Sequence, residues 1–125
     1  MGGLLVDVHP VARHRTLQLE VSGTWVDIGA VERTRAFLSD VTRSEAVLAR
    51  TVDAGLFKRV TSNMYERFEY VESAADWNGY LEHPKTRGFT ADEAVLAEGL
   101  RRLDAGDECL RVHSEAQLGT YARLP

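Results

Sequence analysis

Apolar and polar positions along the chain follow two periods, and the changes between them divide it into strands and helices. After the glycine pair Gly2-Gly3, the run Leu4-Leu5-Val6-Asp7-Val8 is rich in Leu and Val and too short for a helix. It predicts a strand buried on both faces, as in a parallel sheet, and therefore an interior strand and not a rim. Asp7, His9 and Pro10 gather at its carboxyl end, where open α/β sheets place their ligands. Val11 to Arg15 reads as a loop. Leu17, Leu19 and Val21 then alternate with Gln18, Glu20 and Ser22, Ser22-Gly23 turns the chain, and Trp25-Val26-Asp27-Ile28 returns. That pattern is a β-hairpin within residues 16–31.

Val31 to Leu38 lacks a clear period and reads as loop with weak helical tendency. Thr42 and Glu45 form a capping box ahead of the stripe Val47, Leu48 and Val52, and Gly55 supplies the stop. Phe57 to Val71 predicts a long strand with Val60, Met64, Phe68 and Tyr70 on one parity and a bulge at Ser62-Asn63. Ser73 with Asp76 opens a short helix presenting Trp77, Tyr80 and Leu81, which Pro84 ends. Lys85 to Phe89 reads as loop. Thr90 with Glu93 opens the next helix, with Val95, Leu96, Leu100 and Leu103 on one side, Arg101 and Arg102 near its negative end, and Gly106 closing it. From Cys109 to Leu124 the alternation is that of a final strand. The order is strand, hairpin, helix, strand, two helices, strand: a single α+β domain over residues 1–125.

Composition narrows the function classes. The chain has 125 residues, 44% of them hydrophobic and 27% charged, which suits one folded domain with its own core. A net charge of -4 gives no general attraction to nucleic acid or anionic lipid. No apolar run approaches the roughly 20 residues that span a bilayer, and a cytoplasmic location is expected. Cys109 is the only cysteine, so no internal disulfide forms; it reads as a half-buried strand residue.

Asp7 and His9 lie on one face of the first strand, about 7 Å apart at two residues' spacing. With a third ligand they would suit a metal or acid–base site; otherwise they are polar residues lining the mouth of the sheet. His14, His83 and His113 share no metal-like spacing with His9, so no metal site is expected. Trp25, Tyr65, Trp77 and Tyr80 are either core or the lining of an apolar pocket. No serine has a nucleophile-elbow context.

The run Gly2-Gly3-Leu4-Leu5-Val6-Asp7-Val8-His9-Pro10 resembles the turn and fifth strand of class I S-adenosylmethionine-dependent methyltransferases, with Met1 where the turn proline would stand. Val52-Asp53-Ala54-Gly55-Leu56-Phe57 resembles the joint before that family's sixth strand, and Phe68 to Trp77 resembles its end and the next helix. Cys109 to Leu124 resembles the seventh strand. The resemblance implies the carboxyl half of a Rossmann-like sheet: three main strands, the last antiparallel in the middle, with an added hairpin and about three helices. It also implies a bare edge on the first strand, there for a homodimer or a complementing chain. No glycine-rich cofactor loop is present, so S-adenosylmethionine is expected only if the other half is supplied. Substrate-facing residues would be Asp7, His9, His14 and Trp25. Two alternatives stand beside it: a small dimeric ligand-binding module, and an interaction subunit that adds its free strand to another sheet.

Overall fold

A computed structural model describes residues 3–11 and 15–125. Six strands and three helices follow in the order β1 (Leu4–Pro10), β2 (Arg15–Val21), β3 (Thr24–Arg33), α1 (Arg35–Asp53), β4 (Phe57–Tyr70), α2 (Ala74–Glu82), β5 (Thr86–Ala91), α3 (Glu93–Asp104) and β6 (Leu110–Arg123). They form one antiparallel sheet with β6 as its spine. One side of β6 pairs with β4, from Phe57 opposite Arg123 to Tyr70 opposite Arg111. The other side is shared by β1, against residues 116–122, and β2, against residues 110–113. Beyond β2 the sheet continues through β3 to β5.

Strand parity sorts the core. Leu110 and Val112 of β6 and Leu17 and Leu19 of β2 point to the face covered by α2 and α3, where Trp77, Leu96 and Leu103 bury against them. Cys109 joins this core fully buried, its thiol donating to the Gly99 carbonyl at 3.4 Å. Among the described residues no charged or polar side chain is buried there. The neighbouring parity carries Leu5, Asp7 and His9, with Gly119 and Gln117 opposite, and α1 approaches this other face.

Several expectations are corrected. β1 is a strand, but it runs antiparallel to β6 and lies at an edge, with Leu4 65% and Val6 and Val8 each 55% exposed. Its apolar character therefore does not reflect burial within this chain. The hairpin is not an appendage, because β2 hydrogen-bonds β6 and so extends the main sheet. β3 runs on to Arg33, and α1 starts at once, since the Thr34 hydroxyl accepts from the Phe37 amide at 3.3 Å. Thr42 is interior to that helix and turns its hydroxyl back onto the Leu38 carbonyl. The irregularity in β4 falls between Arg59 and Thr61, not at Ser62-Asn63. Lys85 to Phe89 is mostly strand, since β5 finds its partner in β3. Asp92, not Thr90, caps α3 by accepting from the Ala94 and Val95 amides, because Thr90 is committed to β5.

The sheet has six strands and not three main ones; within it β6 lies between β1 and β4, antiparallel to both, so β1 and β4 run parallel to each other. The second edge of β1 has no strand partner among the described residues.

Candidate functional site

Two polar clusters lie near the carboxyl end of β1. On the α1 face, Asp7 and His9 are brought together as their parity requires, with His9 Nδ1 2.5 Å from Asp7 Oδ2. His9 Nε2 lies 3.4 Å from Glu45 Oε1 of α1. The pair is 20% and 14% exposed, and the Nε2 atom itself is fully covered with no hydrogen-bond partner among the described residues. A carboxylate that accepts from Nδ1 leaves Nε2 as the basic nitrogen, the arrangement of a general base. Here that nitrogen faces Glu45 of α1 and not solvent, so no substrate atom reaches it without movement of that side chain. No group of three metal-ligating side chains occurs among the described residues.

Trp25 belongs to a different place. Its ring meets Tyr70 edge-on, and the Arg111 guanidinium sits 4.1 Å from the ring centroids of both Trp25 and Phe68. Arg111 and the Gln117 beside His9 are six residues apart on β6, about 20 Å at strand spacing. The structure therefore does not unite Trp25 with Asp7 and His9. His14 lies outside the described residues. Trp77 is core, stacked on Tyr80, while Tyr65 is exposed.

The cluster that sequence reading missed lies on the opposite face, where Pro10 ends β1. A cavity of about 360 Å³ opens there among Arg15 of β2, Arg33 of β3, Arg67 and Glu69 of β4, and Tyr80 and Lys85 around α2. Arg15 Nη1 donates to the Tyr80 hydroxyl at 2.6 Å and Nη2 to Thr86 at 3.4 Å, while its buried Nε has no acceptor among the described residues. Arg33 Nη1 donates to the Val11 carbonyl at 2.9 Å. Burial, then the neighbouring charge of Arg15, pulls the Arg33 pKa below its ordinary value, and burial pushes the Tyr80 phenol up. No spacing rule could have exposed this group, because each cation comes from a different element and only the folded sheet gathers them.

A larger cavity, about 440 Å³, lies between the end of β4 and the end of α3, rimmed by Glu72, Asp107 and Glu108 beside Tyr70. Among the described residues no helix is long and apolar enough to cross a membrane. Comparison with family models, curated proteins and solved structures gives no match.

Proposed function

We propose that this chain is the carboxyl, substrate-side half of a class I methyltransferase-type domain, completed by a second half that pairs along the free edge of β1. The observation that carries the proposal is the order β1-β6-β4, with an antiparallel last strand between two mutually parallel ones. That is the arrangement the resemblance implies for the end of such a domain.

The surface of β1 supports the same reading. Leu4, Val6 and Val8 lie on one side and Leu5, with Asp7 and His9, on the other; the four apolar residues are exposed, and the second edge of the strand has no partner among the described residues. Exposed apolar side chains beside an unpaired strand edge are the pattern of a surface that another chain covers. Beside it, Leu5 and Val6 with Val47 and Leu48 of α1 line a groove that also takes in Asp7, Arg43 and Ser44. An occupant that adds a strand and a covering helix would satisfy backbone, groove and apolar face together. In this reading the completing half brings S-adenosylmethionine, and this chain contributes the surface around the carboxyl end of β1.

The test is purification of the tagged chain from its own cells under native conditions, followed by sequencing of whatever co-purifies and calorimetry with S-adenosylmethionine. The expected result is a partner carrying a glycine-rich loop after an apolar strand, with heat from the complex and none from the isolated chain. Recovery of the chain alone as a monomer, or a complex that gives no heat, overturns the proposal.

A further inference from the structure

We infer that the cavity between Arg15, Arg33 and Tyr80 is a binding site for a tetrahedral dianion, the phosphate or sulfate group of a small molecule. This inference does not rest on the methyltransferase reading.

Charge is the first argument. Arg15, Arg33, Arg67 and Lys85 face one cavity that holds a single carboxylate, Glu69, which lies 4.0 Å from Arg67 at the mouth. Four cations against one anion leave a local excess of about three positive charges in a protein whose net charge is -4. Neither Arg15 nor Arg33 has an ion-pair partner among the described residues. Like charges driven together in a part-buried space oppose folding unless something answers them, and a bound dianion does so.

Geometry is the second. The Arg15 side chain is held from two directions by Tyr80 and Thr86, and Arg33 is anchored on the Val11 carbonyl. Both guanidinium groups are thus oriented in advance, which lowers the entropy lost on binding. The Arg15 Nε–H remains buried without an acceptor among the described residues, a donor of the kind that native structures almost always satisfy. Guanidinium forks match the oxygen spacing of such anions and bind them in pairs of hydrogen bonds.

Chemistry of the rim is the third. His83 Nδ1 accepts from the Lys85 amide at 3.1 Å, which places the ring proton on Nε2 and makes His83 a further donor. Phe37 lies under both Arg33 and Lys85, at 5.0 and 5.3 Å from its centroid, and gives the pocket an apolar wall. The volume suits one anionic group with a small organic remainder and not a polymer lying across the surface.

The experiment titrates the full chain with inorganic phosphate, inorganic sulfate and, as a control, acetate, following amide and arginine Nε–H resonances by NMR at constant ionic strength. Saturable phosphate or sulfate binding is expected, with the Arg15 and Arg33 side-chain signals shifting in step and acetate at least tenfold weaker. Arg33→Gln should weaken binding tenfold or more. Should that variant fail to fold, the rim changes Arg67→Gln and Lys85→Ala serve instead, each expected to cost about threefold to tenfold while Arg101→Gln on the far helix changes nothing. Phosphate against sulfate affinity distinguishes the two esters as source. No saturable shift below about 10 mM, acetate binding as tight as phosphate, or affinity indifferent to Arg67 and Lys85 each overturns the inference.

Discussion

Gly29 and Thr90 meet so closely across β3 and β5 that a β-carbon on Gly29 would lie 2.1 Å from the Thr90 carbonyl oxygen. The clash would be with backbone, which cannot swing aside as a side chain does. Gly29→Ala should therefore part β5 from β3 and cost about 3 kcal/mol or more, read as a lower urea midpoint. Gly79, exposed in α2 with nothing within 4 Å of an added β-carbon, is the control: Gly79→Ala should gain about 0.5–1 kcal/mol from helix propensity alone.

Arg111 stands between Trp25 and Phe68 and donates to Gln18 at 2.7 Å. Both ring contacts are cation–π in geometry, each worth about 1 kcal/mol when partly desolvated. A double-mutant cycle on Arg111→Met and Phe68→Leu should return a coupling of about that size, and Trp25 fluorescence should shift with Arg111→Met. A coupling near zero would show that the rings only crowd the guanidinium.

Two raised pKa values fix the sign of the alkaline response. Burial lifts the Cys109 thiol above 9.0 and, foremost among its causes, the Tyr80 phenol above 10.0. In both cases the unfolded chain ionises first as pH rises. Stability is then fully present below pH 9 and declines from the unfolded thiol value upward, with a second decline beginning near pH 10. Denaturant midpoints between pH 7 and 11 check this. Cys109→Ala should remove the earlier fall and Tyr80→Phe the later one.

Val6 is 55% exposed beside the free edge of β1. Val6→Lys should leave the stability of the isolated chain within about 0.5 kcal/mol and, under the proposed half-domain reading, abolish pairing with a completing half. Light scattering of the complex with and without the substitution decides it. A large loss of stability in the lone chain would mean that Val6 already packs within it.

What the sequence disclosed depended on whether the signal was local. The strand from Leu110 to Arg123 and the serine cap at Ser73, which accepts from the Asp76 amide, follow from neighbours in the chain and were legible there, although beyond Ala116 burial passes to Gly119 and Tyr121 on the other parity. The lysine-to-phenylalanine stretch 85–89 was not, because its strand character comes from β3, whose Gly29 admits the close approach. Likewise Thr90 with Glu93 fits a capping box, but the strand claims Thr90 and Asp92 takes the role. For the sites, the Asp7–His9 pairing followed from strand parity alone. The arginine cavity, assembled from residues 15, 33 and 67, had no local trace.

The position of β6 in the chain also sets the order in which the fold can be assembled. Residues 110–123 supply the partner for β1, β2 and β4, yet they are synthesised after all three. Until they clear the ribosome, those strands have only each other's side chains and the β2–β3 hairpin to hold them, and their ladder groups stay open. A nascent chain stalled before residue 110 should thus be protease-sensitive and prone to binding chaperones, and release of the last strand should act as the closing stitch of the whole sheet.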